Sequence, residues 1–360
     1  SLKFLWAPLI DNFSIPILNR LGFRKSWILS SQILIAICLL LLSIINPLES
    51  LYFFAFIAFL VAFSGSIQDI AIDAFRIELA ELNQQGNLAA SYQFGYRMAI
   101  LVSSSFALIF ASDYGWSSTY QLMAFLMLIG VIGVLICPEG VNDSLQKLTL
   151  QNSIVLPLKD FISRFGLFFA SFLLMIVATY RLTDIVMGPM ASPFYLEKGY
   201  TLKEIGYVVK VVAVMASILG FFLGGLLVKK LGVKITLIIG ALLVLITNLA
   251  FSSVALLDKD LSLLGLVVGA DSLAAGVVGT ANITFLTSLV SKKYTAVQYA
   301  LLTSFMMLPG KIFSGFSGLI ASFFKSIYGT EYGWMCFFIF TSLLTVPSII
   351  LLLYYMKREH

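Results

Sequence analysis

Apolar stretches of about twenty residues recur along the whole chain, and no other feature limits its possible folds so strongly. Each stretch is long enough to cross the roughly 30 Å hydrocarbon core of a bilayer as a helix. None alternates with the two-residue period that a membrane β-barrel requires. The sequence therefore predicts an all-α, polytopic membrane helical bundle with complete spans near 27–46, 52–76, 88–111, 117–137, 166–189, 204–228, 233–257, 261–291, 296–324 and 332–356.

Composition narrows the chemistry that such a bundle can perform. Of the 360 residues, 60% are hydrophobic and 11% are charged, against roughly 25% charged in a typical soluble protein. The single histidine is His360, the last residue, which excludes a histidine proton relay or a histidine-ligated metal inside the bundle. Cys38, Cys137 and Cys336 lie in or beside different spans without metal-ligand spacing. We therefore expect neither a metal site nor a cofactor.

Basic residues outside the spans fall mostly on one side of the predicted bundle. The positive-inside rule places that side, and with it the C-terminus, in the cytoplasm. The net charge of +5 is thereby explained by topology, and we expect no nucleic-acid partner. The basic side carries Arg20, Arg24, Lys25, Lys147, Lys159, Arg164, Lys229, Lys230, Lys234, Lys292, Lys293, Lys357 and Arg358, and the opposite side carries Lys198, Lys203, Lys259 and Lys325.

Two segments are echoed later in the chain, in the same order. LGFRKSWIL, starting at Leu21, is answered by LGVKITLII from Leu231, and DYGWSSTYQLMAFL from Asp113 is answered by EYGWMCFFIFTSLL from Glu331. Many secondary transporters are built from internal repeats of this size. The echoes predict two pseudo-symmetric six-helix halves, of which the first lacks its first helix and most of its second. The predicted units are a first half at 1–137, a cytoplasmic linker at 138–165 and a second half at 166–360.

Ionisable side chains lie inside several predicted spans, where a charge at the bilayer centre costs roughly 2.5–3.5 kcal/mol. In the segment QDIAIDAFRIEL, three of them recur at helical spacing and share one helix face. Such residues need an inward-facing polar cavity, or each other. The carboxylates within spans are Asp69, Asp73, Asp184 and Asp271, and the cations are Arg76, Arg97, Arg181, Lys210 and Lys311.

Local spacing predicts two ion pairs and one helix break among these spans. Asp73 and Arg76 are three residues apart, as are Arg181 and Asp184, so each pair is placed to interact along one helix. The sequence from Gly188 to Pro193 contains two prolines, and we expect it to interrupt the fifth span where that span lines the cavity.

Two halves of six helices, each with a basic turn after its second helix, resemble the major facilitator superfamily. The loop APLIDNFSIPILNRLGFRKS, starting at Ala7, resembles a stretched form of that family's signature between its second and third helices. The resemblance implies that Asp11 lies close to Arg20, Arg24 or Lys25 and clamps the cytoplasmic gate. The alternative is an ordinary basic loop.

Over essentially its full length the chain also resembles the AmpG-type muropeptide permeases. The QDIxxDA element is shared with acetyl-CoA transporters of the same superfamily, whereas the TAxQYALL element and the GYR spacing favour the permeases. The motifs that carry the resemblance are FLWAPLID at 4–11, QDIAIDA at 68–74, GYR at 95–97, GW at 115–116, MASPFYLEKGYTLKEIG at 190–206, AAGVVGTA at 274–281 and TAVQYALLTS at 295–304.

This resemblance implies a proton-coupled transporter and not an enzyme. Its members carry anhydro-muropeptides from periplasm to cytoplasm across the bacterial inner membrane during cell-wall recycling. We accordingly expect alternating access by a monomer whose partners are the lipid bilayer, protons and a small-molecule substrate. Two alternatives stay open: transport of acetyl-CoA or a similar acidic metabolite, and a membrane receptor that keeps the fold without transporting.

The proposed substrate carries carboxylates, which arginine binds bidentately. Arg76, Arg97 and Arg181 are therefore the leading predicted substrate contacts, and Lys210 and Lys311 are predicted to hold a further carboxylate. For each of these cations, the alternatives are a structural partnership with a buried acid, or a side chain that snorkels to the membrane interface.

Proton coupling needs a group whose pKa lies near ambient pH, and without histidine this leaves the carboxylates of Asp69, Asp73, Asp184 and Asp271. Asp69 is the first candidate because no cation lies within four residues of it on its own helix. Asp271 is the second.

Overall fold

The described part of the chain is built entirely from helices. A computed structural model describes residues 3–13, 15–16, 18–81, 84–138 and 152–357, and every regular element in these ranges is helical. The α-helices are α1 (Ala7–Asn12), α2 (Phe23–Ile44), α3 (Leu51–Leu79), α4 (Gln85–Leu101), α5 (Ala107–Ile136), α6 (Asn152–Phe165), α7 (Leu167–Thr179), α8 (Leu182–Glu197), α9 (Leu202–Tyr207), α10 (Ala213–Leu231), α11 (Val233–Leu256), α12 (Leu261–Leu289), α13 (Thr295–Ser314), α14 (Ser317–Leu343) and α15 (Val346–Lys357). The predicted all-α class is confirmed. We call α1–α5 the amino-terminal set and α7–α15 the carboxy-terminal set.

Eight helical segments in the described ranges are long and apolar enough to cross a membrane, whereas the sequence predicted ten spans. One of the eight, Lys292–Lys357, has 66 residues, about three times the length that one crossing needs. It folds back at Gly329, since Gly333 packs against the backbone of Lys325, and in a straight helix these two residues would lie about 12 Å apart. Helix α4 has only 17 residues and reaches crossing length through a π-helical turn (Val102–Phe106) that leads into α5.

Glycines with positive φ make the turns between several helices. Gly22 (φ 117°) precedes α2 and Gly232 (φ 81°) precedes α11, so the two glycines of the echoed LG motif perform the same task. Glycine adopts this conformation without the steric cost of a Cβ. In the second echoed motif, DYGW and EYGW, the turn does not lie at matching positions. The first copy turns at its own glycine, Gly115 (φ 79°), whereas the second copy turns at Gly329 (φ 78°), four residues before the matching Gly333.

The predicted break between Gly188 and Pro193 is wrong. Helix α8 runs from Leu182 to Glu197 through both prolines, because neighbouring groups in a membrane bundle re-satisfy the backbone that a proline frees. The interruption lies earlier, between α7 and α8, where the Tyr180 hydroxyl donates to a carbonyl of α11 at 3.0 Å. This break places Arg181 at the N-terminus of α8.

Small residues allow close contact within and between the two helix sets. A Cβ on Gly220 of α10 would collide with the backbone of α12. Between the sets, Gly225 packs against Ala90 of α4, and Gly86 packs against Val228 of α10. Glycine and alanine at these positions let the helix backbones approach, as is common in membrane bundles.

The sets also share an apolar cluster at one end of the bundle. Ile10, Ile28 and Ile70 of the amino-terminal set are buried together with Val297 and Ala300 of α13. We call this end, which carries Arg24, Lys229 and Lys293, the basic end. The contacts between sets given above all lie there.

At the opposite end, ion pairs tie the carboxy-terminal set to itself. Lys325 Nζ lies 2.8 Å from a Glu197 carboxylate oxygen, and the Trp334 indole N–H donates to the same carboxylate at 2.9 Å. Lys198 lies 3.2 Å from Glu331. These contacts hold the end of α8 against the turn within α14.

Part of the predicted linker at 138–165 forms helix α6, while residues 139–151 lie outside the described residues. Gln298, buried at the start of α13, donates to the Pro157 carbonyl and to the Asp160 carboxylate, both at 2.9 Å. Its side-chain oxygen accepts a hydrogen bond from Arg164 at 3.0 Å. One glutamine thus fastens α6 to the carboxy-terminal set.

Candidate functional site

A buried charge network joins the two helix sets at the basic end. Arg24 lies between two carboxylates: Nη2 is 2.6 Å from Asp11 Oδ1, and Nε and Nη2 donate to Glu78 at 3.1 and 2.7 Å. The Asp11 carboxylate also accepts the backbone N–H groups of Ala296 (3.3 Å) and Val297 (2.9 Å). An acid there is favoured by the dipole of α13, whose first turn it contacts. The network therefore connects α1, α2 and α3 to α13.

The structure brings Asp11 together with Arg24 but separates the other predicted gate residues from this pair. Lys25 donates instead to the carbonyl of Cys137 at the end of α5. Arg20 is exposed after α1. Glu78, which the sequence analysis missed, follows Arg76 in the same charged run of α3, and that run was the available signal.

Arg76 occupies a second junction between the sets. It is 5% exposed, its Nη1 donates to Gln85 and its Nη2 donates to Thr287 of α12, both at 3.0 Å. Its guanidinium carbon lies 5.8 Å from the ring centre of Tyr92 and 5.5 Å from that of Tyr299, within the range of a cation–π interaction. Arg76 is thus held by side chains of both sets.

Asp73 does not pair with Arg76 as predicted. Its carboxylate lies 3.2 Å from Lys3 Nζ and is buried. A residue three positions away on a helix is not always the nearest partner, because the side chains of other helices compete for the same carboxylate. Asp69, one turn earlier on α3, is exposed and lies within electrostatic reach of Lys3.

The carboxy-terminal set lines an open cavity of about 340 Å³, which is mostly apolar but includes several polar and ionisable side chains. Arg181 and Asp184 meet in it, with Nη2 3.7 Å from Oδ2, so the predicted pairing is present but the atoms are too far apart for a hydrogen bond. Asp271 lines the same cavity, and its Oδ1 accepts a hydrogen bond from the Thr247 hydroxyl at 3.0 Å. Tyr195 also lines the cavity and interacts electrostatically with Asp271.

Another predicted cation, Arg97, is not among the residues that line this cavity. It is half-buried on α4 and interacts electrostatically with Arg181 across the boundary between the sets. Lys311 is exposed on α13. The side chain of Lys210 lies outside the described residues, so its predicted role stays a prediction.

Several side chains that complete these clusters were missed from sequence. They are uncharged, or lie outside the predicted spans, and nothing in a single sequence distinguishes such residues from others of their type. They are Lys3, Gln85, Tyr92, Tyr195, Thr247, Thr287 and Tyr299.

Comparison with known proteins identifies the class to which this fold and these buried charges belong. Residues 2–314 match the family model of the Major Facilitator Superfamily, and the chain belongs to that superfamily. It is 33% identical to "Putative transporter AmpG 4" of Rickettsia conorii, over 98% of this chain and 84% of the relative. It is 31% identical to the anhydromuropeptide permease of Escherichia coli K12, over 98% of this chain and 69% of the permease. The chain is therefore a multi-pass membrane transporter related to the AmpG permeases, and not an enzyme.

Solved structures with the same fold are more distant in sequence. The human organic anion transporter MFSD10 superposes with a TM-score of 0.68 at 17% identity, covering 97% of this chain and 80% of that one. The Escherichia coli fucose:proton symporter FucP superposes with a TM-score of 0.67 at 13% identity, covering 98% and 90%. At these identities the similarity shows the fold alone.

Proposed function

We propose that this protein imports anhydro-muropeptides across the bacterial inner membrane, coupled to protons, by alternating access. The observation that carries the proposal is the set of ionisable side chains contributed to the interior by both helix sets, where each isolated charge would be costly. Relatedness to the Escherichia coli anhydromuropeptide permease supports the choice of substrate.

We assign the described conformation to a state closed toward the cytoplasm. The positive-inside rule places the basic end in the cytoplasm, and the contacts that support closure there are those of Asp11 with α13 and of Arg76 with Thr287. Both terminal nitrogens of Arg76 donate to protein partners. We therefore assign Arg76 to the gate instead of to the substrate.

The proton carriers that we propose are Asp69 and Asp271. In the described part of the chain, neither carboxylate has a Lys or Arg nitrogen within 4 Å, whereas Asp73 pairs with Lys3 and Asp184 with Arg181. A carboxylate without a cation partner in the membrane interior accepts a proton more readily than one in an ion pair. Arg97 and Arg181 are the proposed substrate contacts.

Uptake by proteoliposomes tests this function. We expect the full chain to accumulate labelled anhydro-muropeptide when the external medium is more acidic than the lumen, and to accumulate no acetyl-CoA. Asp69→Asn and Asp271→Asn should abolish uphill uptake while sparing counterflow exchange, because only the driven reaction requires a proton carrier. Asp113→Asn, an exposed aspartate at the opposite end, is the control.

Three results would contradict the proposal. Accumulation of acetyl-CoA instead of anhydro-muropeptide would show that the substrate is acetyl-CoA or a similar acidic metabolite. Binding without accumulation of either compound would favour a receptor. Uphill uptake that persists in both aspartate variants would remove these residues as proton carriers.

A further inference from the structure

Helix α6 exposes a row of apolar side chains although, with 14 residues, it is too short to cross a membrane. Val155, Leu158 and Ile162 are 38, 44 and 41% exposed. Their spacing of three and then four residues places them on one face of the helix. On a neighbouring face, Phe161 is buried in an apolar cluster together with residues of α7. The helix therefore has one apolar face packed against the bundle and a second one directed away from it.

This helix lies where the chain enters the membrane. The candidate span Leu167–Glu197 begins two residues after α6 ends, and its first two residues are apolar and exposed, as is expected of side chains that face lipid. A row of aromatic rings continues from α6 into this span, with 5.1 Å between the ring centres of Phe161 and Phe165 and 6.2 Å between those of Phe165 and Phe169. The row holds α6 against α7, so the exposed face of α6 lies beside the membrane surface.

Exposed lysines accompany this face. Lys159 is exposed on α6 itself. The turn before α13 exposes Lys292 and Lys293 and lies against α6, because Gln298 accepts the N–H of Ser291 and also donates to a carbonyl of α6. The positive-inside rule places this end of the bundle in the cytoplasm, and the anionic lipids of the cytoplasmic leaflet attract basic residues. The charge beside the apolar face is thus complementary to that leaflet.

We propose that α6 rests on the cytoplasmic leaflet, with its exposed apolar face among the acyl chains and Lys159 at the headgroup of an anionic phospholipid. Interfacial helices bury their apolar face roughly 5–10 Å deep and keep basic residues at the headgroups. Asp160, the one acid of α6, does not oppose this contact, since Arg164 and Gln298 bind its carboxylate. The proposal does not depend on which substrate is transported.

Spin labels on α6 test where each face lies. The full chain, in a background without the native cysteines, is reconstituted in nanodiscs and labelled at a single cysteine placed at Leu158, at Ile162 or at Ser163, which is exposed on another face of α6. Oxygen concentrates in the hydrocarbon, whereas a charged nickel chelate stays in water. In nanodiscs that contain phosphatidylglycerol, the ratio of oxygen to nickel accessibility should be several-fold higher at Leu158 and Ile162 than at Ser163.

The label at Ile162 also tests the contact with an anionic headgroup. Phosphatidylglycerol is increased stepwise in nanodiscs of phosphatidylcholine, and the ratio of oxygen to nickel accessibility should rise. Lys159→Gln should raise the phosphatidylglycerol fraction at half of this change by roughly fivefold, the contribution of one basic residue at an anionic membrane surface. Lys230→Gln, an exposed cation of α10, is the control and should leave that fraction unchanged. Thermal unfolding temperatures verify that each variant is folded.

Three results would overturn the proposal. Low accessibility to both reagents at Leu158 and Ile162 would mean that protein covers this face, with residues 139–151 as the nearest segment in the chain. High accessibility to nickel at both positions would place the face in water. A ratio that responds neither to phosphatidylglycerol nor to Lys159→Gln would overturn the headgroup contact. None of these results changes the outcome of the uptake assay, which tests the proposed function separately.

Discussion

Among single residues, Arg24 shows most clearly how this bundle accommodates a buried charge. Its guanidinium faces Asp11 and Glu78 and also donates to the Ile10 carbonyl at 2.9 Å. The side chain is 5% exposed, so its charge depends on these partners instead of on water. Losing one partner is costly because the remaining charge stays buried.

We predict that Glu78→Gln lowers the free energy of unfolding by about 3 kcal/mol, the lower end of the range for breaking a buried pair. Thermal or denaturant unfolding in detergent measures the change. Glu81→Gln, just beyond α3 and exposed, is the matched control and should change the stability by less than about 0.5 kcal/mol. Equal effects of the two substitutions would show that Arg24 does not depend on Glu78.

Arg76 provides a prediction about the gate. Arg76→Gln removes the donor to Thr287 and the contacts with both tyrosine rings, so the basic end should open more often. The probe is a cysteine at the buried Val297 position, in a background without the native cysteines. With Arg76→Gln, this cysteine should react with a water-soluble maleimide at least about tenfold faster than with Arg76 present, which corresponds to destabilising the closed state by roughly 1.4 kcal/mol. Lys357→Gln, exposed at the end of α15, should leave the rate unchanged. If the maleimide reaction rate is unchanged in Arg76→Gln, Arg76 does not contribute to the gate.

Sequence reasoning found the ionisable residues of the interior but not their partners. Asp73 illustrates the reason: its cation is Lys3, 70 positions away in the chain, whereas the nearest cation in sequence, Arg76, points to another helix. These residues could be identified because each is ionisable and lies within a predicted apolar span, where burying a charge is costly. Which charges meet depends on how the helices pack, and a single sequence contains no record of that.

At the scale of helices, α6 shows how one side chain can fix an element. Gln298 bonds with Pro157, Asp160 and Arg164 of α6, and its oxygen also accepts the N–H of Ser291 at 2.7 Å. All four of these bonds are lost in one substitution. The sequence predicted this region only as a polar linker.

We predict that Gln298→Ala increases amide hydrogen exchange throughout residues 152–165, measured by mass spectrometry. Exchange in α2 and α11 should not change, because these helices do not depend on Gln298. Gln84→Ala, an exposed glutamine at the same end of the bundle, is the control. Unaltered exchange in α6 would mean that its apolar face alone holds it in place.

Some predicted spans match helices closely: the span at 233–257 corresponds to α11 and the span at 52–76 to α3. The echoed LG motifs precede α2 and α11, where each glycine adopts a positive φ without the strain that a Cβ would bring. The break at Tyr180–Arg181 contains neither glycine nor proline, and the prolines of α8 do not end it. Local signals therefore located some helix ends and misplaced the break that positions Arg181.

A substitution at one of these turns tests the argument. Gly232→Ala should lower the free energy of unfolding by about 1–3 kcal/mol, because φ 81° with ψ 165° is a backbone region that essentially only glycine adopts. Gly133 lies within a helix, and no atom lies within 4 Å of the position that a Cβ would take. Gly133→Ala should therefore be neutral or slightly stabilising. Thermal unfolding of both variants gives the comparison. A neutral Gly232→Ala would show that the turn does not need glycine.

For the whole molecule, the two helix sets meet through the contacts at the basic end, while the ion pairs described at the opposite end stay within one set. This asymmetry is what one state of an alternating-access transporter requires. The superfamily was anticipated from the echoed motifs and the family resemblance, whereas the division into halves at 1–137 and 166–360 stays a prediction. The proposed state, closed toward the cytoplasm, could not be anticipated, because one sequence is compatible with every state of the transport cycle.

The most direct test is the distance between spin labels at each end of the bundle, measured by double electron–electron resonance with the full chain in nanodiscs. One pair joins Leu21 to Lys293 at the basic end, and the other joins Tyr52 to Asp258 at the opposite end, all on exposed residues. Adding anhydro-muropeptide at acidic pH should lengthen the first distance and shorten the second. If both distances stay unchanged, or both change in the same direction, the account of alternating access is contradicted.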